Sequence, residues 1–341
     1  MEKKKYFITG ITGFVGSALS QILHNDGHEI HALTRSSAGR EADILDAVTK
    51  DCYDSIKFHY GDLLDYQSLE KIFLKEKYDG CFHLAAQSHP PTGFSDPIGT
   101  LQTNVIGSAN LFRVIELNNK DCRICVVSTS EYYGNGGRGG QLLNESDKAS
   151  AANPYSASKI AMDYYFQERL ANGFNKGFIT RSFSHTGKRR GKTFSISSDA
   201  YQIAGFILDA EKRKKEGLEE ITYELKVGNL KTVRAVCDVV DIADGYYRLM
   251  LSEKSEGKAF NLCAFKAHQM EFYTDILIGI SGLKINKVVD EKLYRPIDIA
   301  YQNGNTALIK KTIGWEPKIK IEDTLTDLLE YWVTKLSVAV E

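Results

Sequence analysis

Two short stretches of the sequence carry residue types suited to proton transfer. Tyr155 and Lys159 are four residues apart, a spacing that places both side chains on one face of a helix. A phenol with a pKa of about 10 is a poor base near neutral pH, and a neighbouring lysine cation would lower that pKa. Thr129-Ser130-Glu131 follows an apolar run and adds two hydroxyls and a carboxylate, which can act as a base and then as an acid. The two stretches together indicate acid–base chemistry on a small molecule.

A glycine-rich turn near the N-terminus predicts a dinucleotide site. It lies between a short apolar run and a helical pattern, which is the context that such a turn requires. Glycine lets the backbone bend tightly and approach a pyrophosphate, and the helix that follows offers N–H groups and a positive dipole end. The residues of this turn that we expect to contact the cofactor are Gly10, Thr12, Gly13, Phe14, Val15 and Gly16.

The end of the second predicted strand favours NADP over NAD. An NAD site usually has an acidic residue there, which accepts hydrogen bonds from the ribose hydroxyls. This chain instead has Arg35 and Ser36, a guanidinium and a hydroxyl that can bind a 2′-phosphate. The alternative is that Arg35 is only a solvated surface arginine. Asp62 and Leu63, which follow the third predicted strand, are expected to lie at the adenine.

The elements that must position these residues form an alternating pattern up to about residue 185. Apolar β-rich runs predict strands at 6–9, 29–33, 56–60, 80–84, 123–128 and 177–183. Between them, helical patterns cover 15–25, 66–77, 98–118 and 155–172. This alternation predicts an α/β fold with a doubly wound (Rossmann) parallel sheet, in which ligands bind at the carboxyl ends of the strands.

The rhythm changes after about residue 186. Longer helical patterns at 199–216, 240–252 and 268–281 are separated by short strands, which predicts a smaller mixed α/β lobe. We therefore expect a cofactor-binding domain at 1–185 and a substrate-binding lobe at 186–341, interleaved with late strands of the main sheet. The glycine-rich segment 134–140 is either a connector or a lid over the substrate.

Composition excludes several classes of function. The chain has 341 residues, 43 Lys plus Arg against 44 Asp plus Glu, and a net charge of −1. Nucleic acid and anionic membranes both need a basic surplus, so neither is expected as a partner. No apolar run approaches the roughly 20 residues that span a bilayer, and the N-terminus lacks the apolar stretch of a signal peptide. These features predict a cytoplasmic enzyme.

No metal site is expected. Cys122 and Cys125 have the C-x-x-C spacing, but they lie in a predicted strand, where residues three apart point to opposite faces. Both are interpreted as packing residues. His24, His28 and His31 are close in sequence without a spacing that brings them to one point, and we interpret them as surface residues.

The chain resembles the extended short-chain dehydrogenase/reductases, and within them the GDP-mannose 4,6-dehydratases. The glycine turn, Gly61-Asp62-Leu63, the stretch 83–89, the triplet 129–131 and the Tyr155/Lys159 pair occur in family order. The segment 183–194 is similar to the family's Phe-Asn-His-Glu-Ser-Pro-Arg-Arg-Gly-Glu-Thr-Phe. Residues 227–230, Arg234 and the stretch 294–298 also match, so the resemblance covers nearly the whole chain.

The resemblance implies a redox-neutral dehydration of a GDP-sugar with an internally recycled NADP. Tyr155, supported by Lys159 and Thr129, would take the proton of the carbon-4 hydroxyl while hydride passes to NADP. The lysine cation and the oxidised nicotinamide together would favour the Tyr155 phenolate. Glu131 would then remove the carbon-5 proton and protonate the departing carbon-6 hydroxyl, after which hydride returns to carbon 6. The resemblance thus implies a lyase.

The resemblance also implies further contacts. Those to the cofactor come from Leu84, Ala85, Ala86, Ser88, Tyr155, Lys159, His185 and Arg190. Those to the substrate come from Ser88, Ser130, Glu131, Ser184, Asn229, Arg234 and Arg295. The predicted helices 98–118 and 155–172 carry apolar residues beyond one stripe, which predicts a homodimer or homotetramer.

Departures from the family pattern leave the sugar and the reaction open. Ser184, Thr186 and Gly187 replace larger Asn, Glu and Ser side chains, so the sugar is either mannose or the larger D-glycero-D-manno-heptose. The region from residue 260 to 282 is closer to GDP-4-keto-6-deoxymannose reductases. The alternative activity is therefore a reductase or epimerase, which shares Tyr155 and Lys159 but does not need Glu131. A non-enzymatic NADP-sensing protein of this fold would be expected to lack the tyrosine–lysine pair.

Overall fold

The structure is a computed structural model, and it describes residues 2–35, 41–137, 140–294 and 297–338. Two of the predicted site residues, Ser36 and Arg295, lie outside these ranges. Residues 138–139 of the glycine-rich segment also lie outside them.

The strands within the described ranges are short. In chain order they are β1 Lys5–Thr9, β2 Glu29–Thr34, β3 Lys57–Tyr60, β4 Gly80–His83, β5 Arg123–Val127, β6 Lys176–Ser182, β7 His185–Thr186, β8 Tyr223–Val227, β9 Val233–Arg234, β10 Cys237–Asp238, β11 Ala259–Leu262, β12 His268–Gln269, β13 Ile285–Val289 and β14 Tyr301–Gln302.

The main sheet has seven parallel strands in the order β11-β6-β5-β4-β1-β2-β3. Strand β1 lies inside the sheet and pairs with both β2 and β4. From β1 the chain adds β2 and β3 on one side, then crosses over and adds β4, β5 and β6 on the other. This is the doubly wound arrangement, so the predicted fold class is confirmed. Strand β11 comes from the second half of the chain and extends the sheet beside β6, with Ala259 opposite Ile179.

The α-helices flank this sheet or belong to the second half of the chain. They are α1 Phe14–Asn25, α2 Lys50–Ser55, α3 Tyr66–Lys75, α4 Pro90–Ser95, α5 Pro97–Leu101, α6 Gly107–Asn118, α7 Pro154–Ala171, α8 Ser195–Lys215, α9 Val239–Leu251, α10 Met270–Ser281, α11 Ala307–Ile313 and α12 Ile321–Val338.

The predicted helix at 98–118 is interrupted. Between α5 and α6 a π-helical turn covers Gln102–Ile106. Its buried residue Asn104 exchanges two hydrogen bonds with the backbone of Gln87, at 2.8 and 3.0 Å. A third bond runs from Asn104 Nδ2 to Ser158 Oγ on α7 (2.9 Å). The π-helical turn therefore places the Asn104 amide where it bonds to three groups. The apolar periodicity of the sequence does not indicate such a turn.

Both faces of the sheet are covered by helices. One apolar cluster joins α1 and α9 to the sheet and includes Cys125, whereas the cluster on the other face joins α3, α6 and α7 and includes Cys122. The two cysteines thus pack on opposite faces, as expected from their spacing. A third cluster lies among α8, α10, α12 and β8 in the second half of the chain.

The interpretation of the histidines as surface residues is wrong for two of them. His28 is buried and its Nε2 lies 2.7 Å from Tyr247 Oη. His31 is fully buried, stacks on His59 and shares a 2.8 Å hydrogen bond with Glu29. His28 directly precedes β2 and His31 belongs to it. Strand β2 pairs with β1 on one edge and β3 on the other, so both residues lie inside the fold. Of the helices described, none combines the length and apolarity needed to cross a bilayer.

Candidate active site

A cavity of about 1010 Å³ lies along the carboxyl ends of the central strands. Every predicted site residue within the described ranges contributes to its wall. From the first half of the chain these are Gly10, Thr12, Gly13, Phe14, Val15, Gly16, Arg35, Asp62, Leu63, Leu84, Ala85, Ala86, Ser88, Thr129, Ser130, Glu131, Tyr155 and Lys159. From the second half they are Ser184, His185, Arg190, Asn229 and Arg234.

The glycine turn brings backbone close to backbone. Gly10 has a φ of +78°, and a Cβ at this position would lie 2.7 Å from the backbone nitrogen of Ala85. A Cβ on Gly16 would lie 2.4 Å from the Gly10 carbonyl oxygen. Helix α1 begins directly after Gly13 without a side-chain cap, so its first-turn N–H groups are available to an anion. The turn therefore fits a pyrophosphate.

The far wall of this part of the cavity is formed after β2 and β3. Arg35 is exposed at the end of β2, and the Asp62 carboxylate accepts a 2.8 Å hydrogen bond from the backbone of Leu64. The structure adds a carboxylate that the sequence did not suggest, because Glu41 accepts a 3.2 Å hydrogen bond from Thr34 Oγ1. Glu41 is not part of the cavity wall, whereas Arg35 and Asp62 both are.

Two side chains of the segment 183–194 pack on Phe14 of the glycine turn. The ring of His185 stacks parallel to Phe14, with centroids 5.8 Å apart. The guanidinium of Arg190 lies 5.0 Å from the Phe14 ring and 3.5 Å from Phe194. Burial and the neighbouring Arg190 lower the pKa of His185 to about 4. The imidazole is therefore neutral at physiological pH.

A second contact ties the same segment to the turn. Arg189 has a φ of +69°, a left-handed conformation that is uncommon outside glycine. Its Nη2 donates a 3.2 Å hydrogen bond to the carbonyl of Thr12. Arg189 thus contacts the glycine turn from outside the cavity, whereas Arg190 belongs to the cavity wall and contacts the turn from inside.

The triplet after β5 forms a short 3₁₀ turn, Ser130–Tyr133. Thr129 begins this turn, because its Oγ1 accepts a 3.2 Å hydrogen bond from the Glu131 backbone. The Glu131 carboxylate is oriented from the other side by Asn153, whose Nδ2 donates to Oε2 at 2.7 Å. Asn153 also caps α7, since its Oδ1 accepts a 2.8 Å hydrogen bond from the Ser156 backbone.

Tyr155 and Lys159 lie on one buried face of α7, as their four-residue spacing predicted. The expected lowering of the tyrosine pKa depends on an oxidised nicotinamide as well as on the lysine, and the protein groups alone raise this pKa. Among the protein groups, burial and the charge of Glu131 raise the pKa of Tyr155 to about 12, and a hydrogen bond with Thr129 opposes this rise. Lys159 Nζ donates to the Val127 carbonyl at 2.5 Å. Burial lowers the pKa of Lys159 to about 8. Desolvation by burial is the largest cause of both shifts.

Two positioning residues were missed in the sequence. Asn104 supports the α7 backbone through Ser158, whose Oγ donates to the Tyr155 carbonyl at 2.7 Å. Asp298 holds two predicted substrate contacts, with Oδ1 3.2 Å from Arg234 Nη2 and Oδ2 3.4 Å from Asn229 Nδ2. For Asp298 a signal was available, because the residue lies in the stretch 294–298 that matches the family pattern. Nothing in the sequence indicated Asn104.

The described part of the glycine-rich segment borders a different cavity. Asn135 and Gly136 line a second, more open cavity of about 700 Å³. Gly140 is held from outside, because its carbonyl accepts a 3.3 Å hydrogen bond from Tyr301 Oη. These contacts do not place the segment over the main cavity.

Comparison with known proteins identifies similar sequences over the whole chain. A family model described as GDP-mannose 4,6 dehydratase matches residues 7–328. The GDP-6-deoxy-D-mannose reductase of Pseudomonas aeruginosa is 28% identical over 334 residues and covers 98% of both chains. GDP-mannose 4,6 dehydratase 1 of Arabidopsis thaliana is 27% identical over 333 residues, 94% of this chain and 87% of its own.

Solved structures support the same fold. The structure of RMD from Pseudomonas aeruginosa complexed with NADPH is 26% identical with a TM-score of 0.77, covering 98% of this chain and 100% of its own. DesIV, a dTDP-glucose 4,6-dehydratase from Streptomyces venezuelae, has a TM-score of 0.79 at 20% identity, covering 98% of each chain. At that identity the likeness to DesIV concerns the fold alone.

Proposed function

The chain belongs to the GDP-mannose 4,6-dehydratase family, and from this premise we propose that it is a nucleotide-sugar 4,6-dehydratase, a hydro-lyase acting on a GDP-sugar. The observation that carries the proposal is the Glu131 carboxylate, which Asn153 orients in the wall that also holds Tyr155. A reductase or epimerase needs the tyrosine and lysine but has no use for this second acid–base group.

The cofactor proposed for the glycine turn is NADP. When bound, it would supply the chemistry of accepting a hydride from carbon 4 and returning one to carbon 6. The first-turn N–H groups of α1 would hold its pyrophosphate, and Arg35 would hold the 2′-phosphate. His185 and Arg190, which pack on Phe14, would hold the nicotinamide half. The 26% identical RMD structure, which contains NADPH, supports this assignment.

The protein's part in the first step is removal of the carbon-4 hydroxyl proton by Tyr155. Burial disfavours the phenolate, so the site must offset this cost where the proton is transferred. The hydrogen bond with Thr129 and the charge of Arg190 favour the charged form. We propose that Lys159, on the same face of α7, adds to them once substrate and cofactor are bound. The buried lysine, with its pKa near 8, remains mostly protonated at neutral pH.

The second step belongs to Glu131. A ketone at carbon 4 makes the carbon-5 hydrogen acidic, and the carboxylate would remove it. The carboxylic acid so formed would protonate the departing carbon-6 hydroxyl, which releases water. Once a hydride is returned to carbon 6, carbon 5 would take up one proton that exchanges with solvent, which completes the 4-keto-6-deoxy sugar. One group can do both because elimination consumes the base form and regenerates it. Asn153 keeps the carboxylate in place during both transfers.

The nucleotide diphosphate would bind in the part of the cavity lined by Arg234 and Asn229. Asp298 fixes the Arg234 guanidinium, so its donors are oriented before the phosphates arrive. Ser88 and Ser130 line the same cavity and would contact the sugar. Arg295, the other arginine proposed for the diphosphate, lies outside the described residues.

For the sugar we propose GDP-mannose or GDP-D-glycero-D-manno-heptose. Ser184 and Thr186 both line the cavity, where the family has larger Asn and Glu side chains. The room favours an extra hydroxymethyl carbon, although one carbon changes binding by only about 1–3 kcal/mol. Specificity constants for the two substrates decide between them, and a preference for mannose refutes the heptose assignment while leaving the dehydration untouched.

The second candidate is an NADPH-dependent reductase of the 4-keto-6-deoxy sugar. It is supported by the 28% identity to the GDP-6-deoxy-D-mannose reductase over the whole chain. Mass spectrometry of the product distinguishes the two activities. A dehydratase removes one water without net consumption of nicotinamide and, in deuterated water, adds one deuteron at carbon 5. Stoichiometric oxidation of NADPH with a 4-keto substrate establishes the reductase instead.

We also propose that the chain forms a homodimer or homotetramer through the helices that flank the Tyr155 side of the sheet. Ile98 and Ile106 beside α6 and Tyr164 on α7 are large apolar side chains left exposed. Light scattering of the purified protein, compared with an Ile98→Glu/Ile106→Glu variant, tests this. A monomeric wild type contradicts it.

A further inference from the structure

A buried carboxyl group outside the acid–base pair lines the main cavity. Asp199, in the first turns of α8, is only 3% exposed and is part of the cavity wall. Its Oδ2 accepts a 2.8 Å hydrogen bond from Thr274 Oγ1 on α10. Within the described ranges this is the one hydrogen bond to the carboxyl group, and no lysine or arginine there pairs with it.

Burying such a group is costly. A carboxylate removed from water without a cation or several donors destabilises the folded protein. Burial accordingly raises the pKa of Asp199 to about 7, with the Thr274 hydrogen bond opposing the rise. A hydrogen-bond acceptor that is kept in the wall of a ligand cavity at this cost suits a ligand that brings hydrogen-bond donors.

Asp199 lies near the proposed diphosphate contacts. On α10, Thr274 holds Asp199 while the adjacent Tyr273 donates from Oη to the Arg234 carbonyl at 2.7 Å. Met270, one turn before Thr274, also lines the cavity. Helix α10 thus contacts both the Asp199 carboxyl group and the Arg234 backbone, which places the two residues at the same end of the cavity. With its phosphates at Arg234 and its sugar toward Tyr155, a nucleotide has this end of the cavity left for its base.

We infer that Asp199 is the residue that selects the guanine base, by accepting hydrogen bonds from its N1–H and 2-amino groups; this rests on the proposed function, since it requires a GDP-linked substrate. Guanine presents two adjacent N–H donors, to which a carboxylate is complementary. Adenine presents a ring nitrogen acceptor at the same position. A site that hydrogen-bonds one base discriminates strongly against another that lacks the donors, because the buried acceptor is then left unpaired.

The test is a comparison of GDP and ADP dissociation constants, measured by calorimetry for the full chain with NADP present. Wild type is expected to bind GDP more tightly than ADP. Asp199→Ala should weaken GDP by about 10-fold or more and leave ADP nearly unchanged. Glu211→Ala, which removes an exposed acid from the same helix, is the matched control and should alter neither constant.

The remaining outcomes separate the inference from its premise. Wild type that shows no preference for GDP over ADP and UDP overturns the GDP-sugar premise. If Asp199→Ala keeps the preference for GDP, only the role of Asp199 is overturned. An equal loss of affinity for GDP and ADP overturns it too, because the carboxylate would then lie at the ribose. If the alanine variant does not fold, the preference for GDP over ADP is measured in Asp199→Asn. It must also fall there, because an amide donor replaces one acceptor oxygen.

Discussion

The amide of Asn153 joins the Glu131 carboxylate to the first turn of the helix that carries Tyr155. Nδ2 donates to Glu131 Oε2 at 2.7 Å while Oδ1 accepts from the Ser156 backbone at 2.8 Å. One side chain therefore sets the position of both proposed proton-transfer groups relative to each other. The α7 capping box is thus a part of the active-site geometry as well as a stabilising feature.

Asn153→Asp should separate these two roles. The aspartate keeps an oxygen for the cap, so the free energy of unfolding should change little. Its second oxygen would face Glu131 as a like charge, which repels the carboxylate from its position and should lower turnover by about 10-fold or more at neutral pH. Melting curves and pH–rate profiles check this. Asn153→Ala, which also loses the cap, should cost about 1 kcal/mol of stability. An aspartate variant with the wild-type pH–rate profile contradicts the orienting role.

Glu131→Gln and Tyr155→Phe should block different steps. The glutamine cannot take the carbon-5 proton, so dehydration should fall by about 10²-fold or more while transient reduced nicotinamide still forms. The phenylalanine lacks the base for the first step, so reduced nicotinamide should not form at all. Stopped-flow absorbance of the cofactor checks both variants. Full dehydratase activity in Glu131→Gln would show that the assigned reaction is wrong.

Arg35→Ala should weaken NADP binding by about 10-fold or more and leave NAD binding nearly unchanged. The reason is the loss of charge-assisted hydrogen bonds to the 2′-phosphate, which NAD lacks. Dissociation constants for the two cofactors provide the measurement. Arg113→Ala, an exposed arginine on α6 outside the cavity wall, is the control. Equal affinity of wild type for NAD and NADP would remove Arg35 from the site.

Lys159→Met should abolish activity and change how stability depends on pH. Burial lowers the pKa of Lys159 from 10.5 to about 8, so the unfolded chain binds more protons between these values. The cost of the buried cation is therefore full below about pH 8 and disappears as the pH rises toward 10.5. The variant's stability relative to wild type should accordingly be greatest near pH 7 and decline toward pH 10. Chemical denaturation at both pH values checks this, and a difference that does not vary with pH contradicts it.

Much of the fold and of the candidate site follows from local sequence patterns. The glycine turn and the Tyr155/Lys159 spacing each span a few residues, and local backbone geometry determines where such side chains point. The strand and helix patterns of the first 185 residues are equally local, and their observed bounds mostly lie within one or two residues of those predicted. Since carboxyl ends of parallel strands meet at one edge, the shared cavity also followed from them.

What the sequence could not provide depends on residues far apart that meet only after folding. Asn153 reaches Glu131 across 22 positions, and Arg234 reaches Asp298 across 64. Burial and the charge of Glu131 raise the pKa of Tyr155, whereas the local spacing indicated only its lysine neighbour. Spacing along one element determines which side chains share a face, whereas desolvation and long-range partners are set by how whole elements pack. Only the tertiary structure could therefore decide the orientation of the carboxylate and the burial of the base.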